Sequence, residues 1–356
     1  MKRTVRGSAT ALVTATVLLF TAACGTSNES PAASSGADSC EPLTQQQTVK
    51  VAEVPAVVYA PYFLAKSAGY FEDENLKIEG STVRSSGEVV PAAARGQVDV
   101  VLASFSPTIF NAIASDVDLR YVAGAGVLTG EEPASGFFVR SDLVESGEIN
   151  EVSDLMGRKV ALTGGVGQGI SFLAGLLLEE YGVSLADLDV VDVGLPEAVT
   201  ALQNEAVDAA YVAAPMYQPL VEDGIAERFG DQSLLTGQRQ AGLLMSPQML
   251  NERRQVACAF TRAYIKANNE LMQGDWRSDE EVLNQLVDAG FDEASILETP
   301  PYDYPVDLPM DSETDTIGKF QSMFAEFENV LSYEDPLSVD DIVDLELYDA
   351  ALDSMK

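Results

Sequence analysis

An α/β architecture with mainly parallel sheets is the fold this sequence predicts, and three observations predict it. Short apolar runs alternate with segments of helical spacing along most of the chain. The run 98–103, apolar except for Asp99, reads as one strand of the kind expected when both faces are covered. Finally, two stretches, about 48–135 and 141–240, repeat the same order of strands and helices, and 356 residues are enough for two lobes.

The elements follow in order. The first strand is 48–52 (TVKVA), a short helix covers 62–68, and Gly69 ends it. A turn at 71–75 leads to a second strand at 76–79. Helical spacing over 88–94 stops at Gly96, and strand 98–103 follows. The helix 106–114 carries Pro107 in its first turn, where its missing N–H costs nothing, and 119–125 is a strand. Strand 136–140 (GFFVR) opens the second half, and a turn at 152–155 precedes strand 159–162. The apolar helix 169–181 is stopped by Gly182, and strand 189–193, helix 196–204, strand 207–212, helix 215–223 and strand 242–246 complete the alternation. Beyond Pro247 the spacing is helical over 248–272, 279–289, 317–327 and 339–343, interrupted by a Pro/Tyr/Asp loop at 300–309.

The N-terminus is of another kind. Lys2, Arg3 and Arg6 precede an apolar stretch at 11–23 interrupted only by three threonines. That is the layout of a secretory leader, and the stretch is short for a membrane helix. Residues 21–24 (TAAC) resemble a bacterial lipobox, with Thr21 where leucine is usual. The resemblance implies cleavage before Cys24 and a diacylglycerol on its sulfur; a leader without lipid is the alternative. Residues 25–47, rich in Ser, Ala, Gly, Gln and Pro, read as a flexible tether.

With Cys24 assigned, Cys40 and Cys258 remain, and an even remainder in an exported chain suggests a disulfide. Cys258 also lies on an apolar helical face with Val256, Ala259 and Phe260, so a free buried thiol is the other reading. The formal charge is −35, and −38 once the basic leader is gone. Such a surface repels nucleic acid and anionic lipid headgroups, and neither is expected as a partner. The acids are scattered, as on a solvated surface or one adapted to high salt.

Five segments then point one way. They are 59–79 (YAPYFLAKSAGYFEDENLKIE), 92–104 (AAARGQVDVVLAS), 118–126 (DLRYVAGAG), 154–169 (DLMGRKVALTGGVGQG) and 195–215 (LPEAVTALQNEAVDAAYVAAP). In order, they resemble the nitrate/sulfonate/taurine and thiamine-precursor binding-protein family over roughly 48–250. The resemblance implies a type II periplasmic-binding fold, two Rossmann-like α/β lobes joined by crossover strands near 136–140 and 242–246, with ligand held between them. Lobe one is then expected at 48–138 plus 242–356, the C-terminal helices included, and lobe two at 139–241, after a leader at 1–23 and a tether at 24–47.

In open parallel sheets, ligands bind beyond the C-terminal strand ends. That rule selects Glu53, Pro55, Tyr59 and Pro61 after the first strand, and Arg84, Ser85, Ser86 and Gly87 after the second. It selects Ser104, Phe105 and Ser106 after the third. In lobe two it selects 163–169, with Thr163, Gly164, Gly165, Gly167 and Gly169, and then Tyr211 and Pro215. Helix starts and serine hydroxyls hold a polar head, while Tyr59, Phe105 and Tyr211 pack an apolar body. Each has a plainer alternative: the glycines as a tight turn, the serines as caps, Tyr59 and Glu53 as core, Arg84 as surface. Tyr302 and Tyr304 lie in a loop placed to line the cleft.

Chemistry is the weaker expectation. The sequence contains no histidine, which removes His-based triads, Cys–His pairs and His metal ligands. None of the three cysteines is placed as a nucleophile. The resemblance implies an extracytoplasmic binding component of an ABC importer, and the expected protein is monomeric, without cofactor, anchored by lipid and working with a permease. Its expected ligand is a small organic solute, either a sulfonate- or taurine-like anion or a pyrimidine-like heterocycle. An extracellular sensing module and a carboxylate-dependent enzyme are the alternatives.

Overall fold

Three strands run buried through their sheet and open up only as they reach its C-terminal end. β3 (Val100–Ser104) and β9 (Ala209–Ala213) are buried until Ser104 and Ala213, and β7 (Lys159–Thr163) buries Val160 to Leu162 and half-exposes Thr163. Apolar runs of this kind need cover on both faces, so they form sheet interiors. Where burial breaks, the chain turns into a loop. The computed structural model describes residues 40–83, 85–129, 135–214, 216–239, 241–299, 302–305 and 314–356. The leader, Cys24 and Arg84 lie outside the described residues.

The remaining strands are β1 (Gln47–Glu53), β2 (Leu76–Thr82), β4 (Arg120–Gly124), β5 (Val127–Leu128), β6 (Ser135–Arg140), β8 (Asp189–Val193), β10 (Ala226–Phe229), β11 (Ala241–Met245) and β12 (Tyr302–Asp303). One five-stranded sheet has the order β2-β1-β3-β11-β4, the other β10-β6-β9-β7-β8. β1 pairs parallel with β2 and β3, and β7 pairs parallel with β8 and β9. β11 is antiparallel to β3 and β4, and β6 is antiparallel to β9 and β10. Each sheet thus holds a single antiparallel strand. In each case it is the first strand laid down after the chain has passed over from the other sheet.

The two passages touch. Leu128 N–H donates to the Gln238 carbonyl at 3.1 Å, and Gly237 N–H donates to the Leu128 carbonyl at 2.7 Å. β12 adds to the same place, pairing antiparallel with β5. The helix Thr314–Ala325 lies against both halves: the Phe320 ring is 4.5 Å from Phe110 and 5.4 Å from Phe172. Gly175, without a Cβ, leaves room for Met323 of that helix.

Several expectations are corrected. The continuous helix expected at 248–272 is two, Pro247–Asn251 and Arg254–Leu271. Arg253 leaves helical geometry to pair with Asp99 at 2.8 Å and to donate to the Thr48 carbonyl. β10 and the helix Leu345–Asp353 add to the elements read from the sequence. The expected tether stops short of residue 47: Cys40 is disulfide-bonded to Cys258, with Cα atoms 5.4 Å apart. Leu43 packs on the core, and its carbonyl accepts from Asn75 Nδ2 at 2.8 Å.

Asp344 fastens the C-terminal helix. Its carboxylate takes Arg254 in a two-pronged pair at 2.7 and 3.1 Å and accepts Leu347 N–H at 2.9 Å, capping Leu345–Asp353. Burial alone would raise its pKa, but the Arg254 and backbone bonds outweigh it and hold the carboxyl below its usual range. A depressed carboxylate contributes stability that is full above its unfolded pKa of about 4 and is lost as pH falls through its folded value. Asp344→Asn should therefore cost about 1–3 kcal/mol at pH 7 and progressively less below about pH 4. Paired melting curves at pH 7 and pH 3 check this; an equal deficit at both would refute it.

Candidate functional site

The C-terminal tips of the two sheets face one another across a cavity of about 720 Å³. From the first sheet come Val54, Ala56, Val58 and Tyr59 after β1, Ser85, Ser86 and Glu88 after β2, and Ser104 at the end of β3. From the second come Thr163, Gly164, Gln168, Gly169 and Ile170 after β7, and Asp192, Val193 and Gly194 at the end of β8. Tyr302 of β12 completes the wall.

Local sequence explains these placements. Tyr59 closes the one-turn segment Val57–Tyr59, and Pro61 then starts the helix Ala60–Ser67. Tyr59 is almost fully buried, its hydroxyl is 3.4 Å from Ser104 Oγ, and burial pushes its phenol well above the usual range. Ser85 turns the chain after β2, its N–H donating to Glu88 Oε1 at 3.0 Å. Beyond Thr163 the chain reverses through Gly164, Gly165 and Gly167 at φ of +73°, +65° and +107°, a region that favours glycine. At Gly165 a Cβ would also lie 3.1 Å from the Asp192 carboxyl carbon. The reversal delivers Gln168 to the start of the helix Gly169–Glu179, whose first residues form the wall.

The wall is polar in a particular way. It offers the hydroxyls of Tyr59, Ser85, Ser86, Ser104, Thr163 and Tyr302 and the amide of Gln168, set among Val54, Val58, Ile170 and Val193. Its charged side chains are carboxylates, Glu88 and Asp192; no Lys or Arg occurs among the described lining residues. Thr163 Oγ1 is buried and has no hydrogen-bond partner among the described residues. A buried hydroxyl in that state gains from any polar solute that reaches it.

Of the residues expected at the site, Tyr59, Ser85, Ser86, Ser104, Thr163, Gly164, Gly169 and Tyr302 line it. Glu53 does not. It ends β1 as expected, but its carboxylate turns back to accept from Tyr62 Oη and Lys66 Nζ, each at 2.6 Å. Phe105 is sealed in the core, its ring 5.1 Å from Tyr121 and 5.9 Å from Phe110. Tyr211 is likewise buried, 4.9 Å from the Phe137 ring, and accepts a hydrogen bond from Ser135 Oγ at 2.9 Å. Gly165 and Gly167 shape the loop behind the wall and do not line it. Glu88, Asp192 and Gly194 line the cavity without having been expected there, while Gln168 falls inside the expected run 163–169. The strand-end rule would have reached Asp192 and Gly194 had it been applied to the run 189–193.

Residues 56–274, which carry all the lining residues except Val54 and Tyr302, match the NMT1/THI5 like family. The chain belongs to that family. A riboflavin-binding protein, RibY, from Chloroflexus aurantiacus is 26% identical over 195 residues, 53% of this chain. The match covers 52% of RibY, so the chain spans about half the length of that curated relative. The periplasmic sulfonate-binding protein SsuA from Methylobacillus flagellatus KT superposes with a TM-score of 0.68 at 16% identity, covering 88% of this chain and 96% of its own. The desulfurization enzyme DSZB shares the fold at TM-score 0.59 and 15% identity, covering 87% and 100%. The fold is thus the periplasmic-binding fold expected from the sequence. Its neighbours are mainly binding proteins, with an enzyme among them.

Proposed function

We propose that this chain is the exported solute-binding component of an ABC-type importer and does not transform its ligand. The single observation that carries the reading is the cavity, walled by loops from both sheets, so that one solute touches both halves. Such a ligand shifts an open–closed equilibrium by the extra contacts it makes in the closed form, and the closed form docks on the permease. The leader and Cys24 fit export and lipid anchoring of a monomer. The lack of histidine and the Cys40–Cys258 bond leave no imidazole and no thiol on the described residues for nucleophilic chemistry.

The lining chemistry favours a neutral, hydrogen-bonding heterocycle over an anion. Glu88 and Asp192 repel a sulfonate, and hydroxyls and an amide suit ring nitrogens and carbonyls. The anion is the second reading, supported by the glycine turn that feeds the start of Gly169–Glu179. Melting curves with riboflavin, thiamine, taurine, ethanesulfonate and nitrate test both. A bound solute at about 100 times its Kd adds about 2.7 kcal/mol, a rise of several degrees. We expect that rise from a heterocycle, with compaction in small-angle scattering and no new compound by mass spectrometry. No rise with any of these solutes, or product formation, would overturn the reading.

A further inference from the structure

The short strand β12 brings one side chain, Tyr302, into the cavity wall. Segment 302–305 is fastened from three sides. Its backbone pairs with β5, where the chain passes between the sheets. Tyr304 Oη donates to the Val57 carbonyl, in the loop that carries Tyr59. Asn268 Nδ2 donates to the Pro305 carbonyl at 2.7 Å, and Gln273 Nε2 to the Tyr304 carbonyl at 3.2 Å, tying the segment to the helix Arg254–Leu271 and the residues just after it. The approach is so close that a Cβ on Gly126 would stand 2.8 Å from the Tyr302 Cβ. This is a rigid mount, and Tyr302, half-buried, is the part of it that lines the cavity.

We propose that Tyr302 is a specificity-determining ligand contact, presenting its ring and hydroxyl to the solute from the hinge between the two walls. The proposal rests on the solute-binding reading above and assigns a contact within that same cavity. Tyr302 lines the cavity together with Tyr59 and Ser104 from the first sheet's side and Thr163 and Asp192 from the second's, so it stands between the two halves. Burial pushes its pKa up to about 12, so at neutral pH it keeps its proton and both donates and accepts. A hydroxyl held by the hinge keeps its place while the walls move, so it selects solutes that carry a polar group within its reach.

The test is calorimetric titration of wild type, Tyr302→Phe and Tyr302→Ala with riboflavin, thiamine, taurine and ethanesulfonate. For whichever solute binds wild type, Tyr302→Phe should raise Kd about 5–20-fold and Tyr302→Ala about 30-fold or more. Tyr302→Phe keeps the ring, so its ligand-free melting temperature should stay within about 2 °C of wild type. Emission from Trp276, whose ring is 6.1 Å from Tyr304, should show the segment still seated in both variants. If wild type binds and both variants bind within twofold, the assignment of Tyr302 falls while the binding reading stands. Lowered stability with unchanged Kd would mean a structural role and would also overturn it. If none of these solutes binds wild type, the solute-binding reading fails and the role of Tyr302 fails with it.

Discussion

Replacing Cys258 with serine is expected to destabilise the protein by about 3–5 kcal/mol, the largest single effect foreseen on stability. The bond joins positions 218 residues apart, so the loop it closes holds both five-stranded sheets but not the C-terminal helices. Closing so long a loop removes much of the unfolded chain's freedom, which chain-entropy estimates put near 5 kcal/mol; measured bonds typically give about 2–4. Part of the loss is offset in the native state. Leu43 remains on the core, and Gln255 Nε2 still donates to the Glu41 carbonyl at 3.0 Å. At about 2 °C per kcal/mol for a chain this size, melting should fall by roughly 5–10 °C. Reductant should produce the same shift in wild type and none in the variant. A wild-type melting point that ignores reductant would sink the prediction.

The strands were legible because burial on both faces leaves a plain mark. β3, written VVLAS, is apolar until Ser104, and the change of character shows where the cavity starts. The antiparallel insertions were not legible. SGFFVR reads as a strand whichever way its neighbours run, and only the passage between sheets fixes β6 as antiparallel. The site was legible as a set of loop positions but not as side-chain directions. Glu53 occupies the expected strand end, yet Tyr62 and Lys66, nine and thirteen residues later, draw its carboxylate away. Phe105 follows Ser104 directly, and consecutive residues at a strand end face opposite ways, so one lines the cavity and the other fills the core. Asp192 stands one residue before the end of β8, a strand end to which the rule was not applied. The feature that gives it meaning, the Cβ-free Gly165 against its carboxyl, exists only after folding.

Glu74→Ala should cost about 3 kcal/mol, with the reason lying on the other side of the ion pair. Arg262 is 7% exposed at its side chain and Glu74 24%. Arg262 Nε lies 3.0 and 3.1 Å from the two carboxylate oxygens, and its Nη1 donates to the Cys40 carbonyl at 2.8 Å. Removing Glu74 leaves a buried guanidinium with its charge uncompensated, which typically costs about 3–5 kcal/mol. The partial exposure of Glu74 places this pair at the lower end. The effect should also depend on the disulfide. Cys258 and Arg262 stand one turn apart on the same helix, and both hold Cys40. Once the bond is cut, the segment from Cys40 can lift, water reaches the guanidinium, and the unpaired charge costs less. In a Cys258→Ser background, Glu74→Ala should therefore cost about 1 kcal/mol less than in wild type. Urea melts of the four proteins of that cycle measure the difference. Strict additivity, within about 0.4 kcal/mol, would show that Cys40 stays in place on Arg262 and its neighbours alone.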